Sequence, residues 1–144
     1  MTDLLLKCVI AGRQAAIPAL DVRSVIEIDE ITPIPGTPAF IVGLAALRSQ
    51  ALTVIDCALA IGRPEATSSG DRRAAVVEHG GHLYALMVDA ACDVGEALSD
   101  PEPVPGGFGE GWQTAARGLV ETENGPTLLV DIGAIVAGPA KVAA

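Results

Sequence analysis

The 144-residue sequence predicts an all-β protein built of two similar small barrels, on three observations. About ten short runs rich in Val, Ile and Leu alternate with Gly, Pro and Asn turn signals, a spacing that suits barrels better than a parallel sheet. Half the residues are apolar but only 3% are aromatic, so the interior must be aliphatic. One pattern also recurs. Val54-Ile55-Asp56-Cys57-Ala58-Leu59-Ala60-Ile61 and Leu129-Val130-Asp131-Ile132-Gly133-Ala134-Ile135-Val136 each read as a strand end, an aspartate and a turn of helix. Aspartate at such a junction accepts hydrogen bonds from the first helix amides and meets the positive helix end. Met87-Val88-Asp89-Ala90-Ala91-Cys92-Asp93-Val94 is a looser third copy. Two copies close the two halves of the chain. One domain over residues 1–144 is therefore expected, with two barrel subdomains divided near 63–73.

The elements follow in order. Leu4–Ala11 and Gln14–Ile17 flank a Gly12-Arg13 turn and make an opening hairpin that Pro18 ends. Ala19–Ser24 reads as one helical turn, and Val25–Ile28 as strand by its β-branched residues. Thr32–Pro38, TPIPGTP, carries three prolines without amide donors and is a surface loop. Ile41–Leu47 and Ala51–Ile55 are strands joined at Arg48-Ser49-Gln50. Arg63–Asp71 is polar and linker-like. Ala74–Glu78 and His82–Val88 flank the Gly80-Gly81 turn. Pro101–Gly111 is a flexible proline-glycine loop, and Ala115–Glu121 with Thr127–Val130 form a last hairpin about Asn124-Gly125.

Composition excludes several function classes. Eighteen acidic against nine basic side chains give a net charge of -9, and Arg72-Arg73 is the longest basic cluster, so nucleic acid is no partner. Cys8, Cys57 and Cys92 are far apart among apolar neighbours, the usage of buried reduced thiols. The start MTDLLLKCVIAG lacks a signal-peptide layout, and no apolar run reaches the roughly 18 residues of a membrane span. A soluble, cytoplasmic protein is expected.

No nucleophile or cofactor cradle stands out. Ser68-Ser69 have no histidine base beside them. GGFGEGW lacks the Lys-Ser/Thr ending and helix of a phosphate loop. His79 and His82 read as solvated turn residues. Asp56, Asp89 and Asp131 would be the residues of a small hydrolase or ligand-binding barrel, but they lack histidine or glutamate at ligand spacing, and helix capping accounts for at least two of them. No cofactor and no catalytic residue is predicted. The conspicuous charges are those embedded in apolar strands. Glu27 shares a strand face with Val25 and opposes Ile26 and Ile28; Arg48 ends the run Ile41–Leu47. They are either paired with each other or separately solvated.

From about Leu5 to about Val136 the chain resembles the CheW family, the coupling proteins of bacterial chemotaxis. Gln14-Ala15-Ala16-Ile17-Pro18, Val25-Ile26-Glu27-Ile28, the run Ile34–Gly43, Leu47-Arg48, Thr53-Val54-Ile55-Asp56 and Val88-Asp89…Asp93-Val94 match that family's segments in order. The resemblance implies two interlocked five-stranded SH3-like barrels and a non-enzymatic adaptor. Its implied partners are the cytoplasmic tip of chemoreceptors and the regulatory domain of the histidine kinase CheA, at receptor arrays on the membrane. Val25, Ile28, Val88 and Val94 are then candidates for apolar lining or support, and Glu27 and Arg48 for fixed charges. Ala46 and Ser49 replace the Asn and Gly that usually flank Leu-Arg in that family. An altered turn there would point to a CheW-like module that regulates or localises a kinase outside chemotaxis.

Overall fold

Leu4–Ile10 (β1) and Arg13–Pro18 (β2) pair antiparallel across Ala11-Gly12, both left-handed with φ of 51° and 76°. The computed structural model describes residues 4–66 and 72–139, residues 91 and 92 as backbone only. After β2 come strands Val22–Glu27 (β3), Ile41–Leu47 (β4) and Gln50–Asp56 (β5), then helix Cys57–Ala60 (α1). Arg73–His79 (β6), His82–Met87 (β7) and Ala90–Glu96 (β8) follow. The chain closes with helix Glu110–Ala115 (α2), strands Ala116–Thr122 (β9) and Gly125–Val130 (β10), and helix Ile132–Ala137 (α3).

Two five-stranded sheets result, ordered β8-β1-β2-β10-β9 and β3-β6-β7-β5-β4. They have one topology used twice: β8 stands where β3 does, β1-β2 where β6-β7 do, β10 where β5 does and β9 where β4 does. In each sheet one parallel pair joins the hairpins, β2 with β10 and β7 with β5. Each sheet keeps two edges, and they approach through one isolated bridge: Thr32 to Leu44 in one, Glu102 to Leu119 in the other. The SH3-like barrels thus stand as curled, unclosed sheets. The expected division at 63–73 is corrected. The chain passes between sheets at Ala19–Asp21 and at Val88-Asp89, whereas 63–72 lies between β5 and β6 of one sheet. The described parts of that connection, residues 63–66 and 72, are exposed, which accounts for their polarity without a boundary. Residues 67–71, Ser68 and Ser69 among them, fall outside the described residues.

Three aliphatic clusters fill the fold. The largest draws on both sheets, with Leu6, Ile10 and Ile17 of one against Ile55, Val77 and Leu86 of the other, and takes in Trp112 of α2. Leu52, Val54, Val76 and Ala85 form the interior of the β3–β7 sheet; Leu5, Ala16, Val120 and Leu129 form that of its counterpart. Truncating a buried Leu or Ile here costs roughly 2–5 kcal/mol.

The recurrent aspartates are helix caps in two copies. Asp56 Oδ1 accepts from Leu59 N and Asp131 Oδ1 from Ala134 N, each at 3.2 Å. The third copy fails. Asp89 N–H donates to Val9 O at 2.8 Å and its Oδ2 accepts from Gly12 N at 3.0 Å, which pulls the next residues into β8 beside β1 rather than into a helix. Elsewhere, the helical turn expected over Ala19–Ser24 shrinks to Ala19–Asp21, because from Val22 onward β3 pairs with β6. The end of the Pro101–Gly111 loop enters α2, and Arg13 stacks 4.8 Å from the ring centre of Phe108. The last hairpin turns on Glu123-Asn124, with Gly125 (φ 97°) in the strand behind it.

A second repeat, Pro-Ile-Pro-Gly and Pro-Val-Pro-Gly in the sequence, acquires its meaning from the fold. Pro33-Ile34-Pro35-Gly36 follows the bridging Thr32, and Pro103-Val104-Pro105-Gly106 follows the bridging Glu102. Opposite each bridge lies a Gly-Leu pair, Gly43-Leu44 or Gly118-Leu119. A Cβ on Gly43 would stand 2.3 Å from Thr32 O, and one on Gly118 would stand 2.9 Å from Glu102 O. Glycine is required for this close approach of backbones. Gly43→Ala is expected to lower stability by roughly 2–3 kcal/mol, read from urea unfolding; an unchanged midpoint would mean that the proline strap, Thr32 to Gly36, does not lie against β4.

Candidate docking site

The two edge strands β3 and β8 carry the same surface signature. Val25 pairs with Ala75 of β6 and Val94 with Leu6 of β1, corresponding places in the two sheets. Both valines stay exposed, by 41% and 56%, at the margin of the inter-sheet core to which Ala75 and Leu6 belong. Two residues on, Glu27 and Glu96 are both exposed. Leu4 and Leu98 add exposed apolar surface near β8.

At the β4–β5 end of its sheet an open groove of about 1060 Å³ runs between the end of β3 and the β4–β5 hairpin. Ile26, Ile28, Leu44, Leu47 and neighbouring alanines line it, with Glu27, Asp29 and Glu30 beside them. The candidate residues therefore separate. Ile28 is buried and helps form the groove wall; Glu27 lies on its rim; Val25 is on the open edge. Val94 belongs to the other sheet, and Val88, 1% exposed, sits inside the inter-sheet core as support.

Glu27 does pair, but not with Arg48. Its Oε1 accepts from Arg73 Nη2 at 3.5 Å, because β3 and β6 are neighbours and put Glu27 opposite Arg73. Arg48 is on β4's turn, at the far edge of that sheet. Arg48 and Ser49 are the central residues of a two-residue hairpin turn, with φ of 50° and 69°. The turns at Ala11-Gly12 and Gly80-Gly81 have the same left-handed form with glycine to relieve it. Here two side-chain-bearing residues hold it, at about 1–2 kcal/mol each. Ser49 thus holds a left-handed conformation that glycine would adopt without strain, and Arg48 is presented to solvent.

Sequence reasoning missed Lys7. It is 8% exposed, and its Nζ donates to Asn124 Oδ1 at 2.5 Å and Glu123 Oε1 at 3.2 Å. A lone lysine inside an apolar run was the available signal. Cys8 and Cys57 are buried and not disulfide-bonded, and the side chain of Cys92 falls outside the described residues. Burial, then the nearby Cys8, Asp56 and Asp89, push the Cys57 thiol well above its ordinary range. Asp56, Asp89 and Asp131 do not gather: among the described residues no cluster of three or more His, Cys, Asp or Glu is placed to hold a metal. Nor does any described helix have the length and apolarity to cross a membrane.

Paired sheets that share one core and expose matching edge strands beside an open groove define a β-scaffold, a module whose surface meets other proteins. The CheW-like domain matches residues 4–139, and the chain belongs to that family, the CheW scaffolds of chemotaxis. Over 114 residues it is 25% identical to the "Chemotaxis protein CheW" of Rhizobium meliloti (strain 1021), covering 78% of this chain and 74% of that protein. The crystal structure of the scaffolding protein TtCheW from Thermoanaerobacter tengcongensis matches with a TM-score of 0.79 at 27% identity, over 92% of this chain and 86% of the other.

Ser49→Gly is expected to raise stability by about 0.5–1 kcal/mol, the relieved strain less the added chain entropy; a loss in thermal or urea unfolding would contradict the left-handed turn. A double-mutant cycle should couple Glu27 to Arg73 by about 0.2–1 kcal/mol and leave Glu27 and Arg48 uncoupled. Cys57, protonated and enclosed at pH 8, should react with iodoacetamide only after denaturation. Rapid labelling of the native protein would place that thiol at the surface.

Proposed function

We propose that this chain is a non-enzymatic adaptor that couples the cytoplasmic tips of chemoreceptors to the regulatory domain of the histidine kinase CheA. The observation that carries the reading is the doubled edge signature: Val25 with Glu27 and Val94 with Glu96, flanking one inter-sheet core. An exposed aliphatic residue beside a fixed charge gives a partner both burial and register. Family membership supplies the setting, chemotaxis scaffolding. Work of this kind is positional. Receptor packing shifts with ligand, and an adaptor held against both receptor and kinase passes the shift on. Modest pairwise contacts are enough in an array, since multivalency raises effective affinity. Recruitment to receptors would bring the protein to the membrane without inserting it.

A CheW-like module serving a kinase outside chemotaxis is the second reading. The observation that favours it is the strained left-handed turn at Arg48-Ser49, which carries two side-chain-bearing residues where the resemblance implies a glycine.

Binding of the purified chain to a receptor-tip fragment and to the CheA regulatory domain from the same genome tests the proposal. Both should bind. Val25→Asp and Val94→Asp, each burying a charge in a contact, should weaken at least one of the two by about ten-fold or more, with Arg48→Ala acting in the same direction and the unfolding midpoint little changed. Kinase binding without receptor binding would favour the second reading, and binding to neither would overturn the adaptor role.

A further inference from the structure

The chain has two histidines, and folding sets them opposite each other. His79 ends β6, His82 begins β7, and the two are direct partners in the ladder. Between them Gly80 and Gly81, with φ of 60° and 83°, make a left-handed two-residue turn whose twist matches that of the strands it joins. The turn therefore fixes the pair. Directly opposed residues hold their Cβ atoms about 4.5–5.5 Å apart on one face of a sheet. Here that face is turned to the other sheet: His79 alternates with Val77 and Ala75, and His82 with Tyr84 and Leu86, all in or against the inter-sheet core. Both histidines are exposed, and among the described residues neither ring has a hydrogen-bond or ion-pair partner. Nothing in the turn itself calls for histidine, since Ile10 with Arg13 and Leu47 with Gln50 flank the other left-handed two-residue turns.

The surroundings favour a cation. The His79 ring lies over Gly133 of α3, where a Cβ would stand 3.2 Å from its Cε1. It lines an open pocket of about 280 Å³ together with Asp21, Glu78, Asp131 and Arg117. Three carboxylates outnumber one guanidinium there, and Arg23 holds only Glu78, at 2.6 Å. Such an excess draws positive ions. The carboxylates are not placed to complete a set of three ligands, so they supply field and not coordination.

We propose that His79 and His82 form a two-imidazole chelate for a divalent transition ion of the Ni²⁺, Cu²⁺ and Zn²⁺ group, with water in the remaining positions. Imidazole nitrogen suits these ions, whereas Mg²⁺ and Ca²⁺ require oxygen. Only the folded hairpin presents both rings on one face, so the ion binds the native state and stabilises it. The site goes beyond the adaptor reading and stands whether or not that reading holds.

The test is calorimetric titration of the tag-free full chain with Ni²⁺, beside thermal unfolding and Cu²⁺ electron paramagnetic resonance. Saturable binding at one site per chain should raise the thermal midpoint. His79→Asn and His82→Asn should each weaken binding by about ten-fold or more and abolish the midpoint shift, while the metal-free midpoint stays near that of the parent chain because both positions are exposed. The copper spectrum should show coupling to two imidazole nitrogens in the parent chain and to one in each variant. No saturable binding, unchanged affinity in either variant, or coupling to a single nitrogen in the parent chain would each overturn the chelate. Displacement of Ni²⁺ by Mg²⁺ in about hundred-fold excess would also overturn it, by assigning the ion to the carboxylates instead.

Discussion

The parallel pairing of β2 with β10 is the contact on which the architecture depends. Ala15 and Ala16 of the N-terminal hairpin meet Leu128 and Leu129 near the end of the described chain, and both alanines are fully enclosed. Until that seam forms, β1-β2 and β9-β10 are separate hairpins, each too small to be stable by itself. Once it forms, the β3–β7 segment is held between the two parts of the other sheet, and the largest aliphatic cluster can assemble from both. The cost is loop closure over most of the chain, which makes this a topology of high contact order. Small residues at the seam are what allow two backbones and the core behind them to come together.

One consequence is that neither sequence half is a folding unit, even though the repeat runs through the whole protein. The same strand order, the same capping aspartates at α1 and α3, the same proline strap and the same close-approach glycine occur in both sheets. Duplicated architecture leaves the side chains free to differ. In one sheet Val76, Leu52 and Leu47 make the interior continuous with an exposed apolar groove; in the other Lys7, Thr127 and Thr122 make it polar and self-contained.

Much of the plan was legible in the chain. Alternating aliphatic runs and turn residues gave nine of the ten strands in outline, and the Val-Ile-Asp and Leu-Val-Asp junctions gave two capped helices. The exposed face of Val25 and Glu27 followed from strand alternation. What escaped was β8: its aspartate looked like a third cap, and only the amide of Gly12, distant in sequence, turned it to another use. The charge pairing escaped for the same reason. Nothing local indicates that Glu27 lies opposite Arg73 instead of near Arg48, since strand neighbours are chosen across the sheet.

The sequence by itself determined the all-β class, the aliphatic core, most turns, and the family in which this chain belongs, because these rest on periodicity, local backbone preference and short motifs in order. Tertiary structure alone decided which strands share a sheet, where the chain crosses between sheets, and which of two corresponding sheet ends gathers a polar network. Those outcomes depend on contacts between residues far apart in the chain. Lys7 is only a charge in an apolar strand until folding brings Glu123 and Asn124 to it.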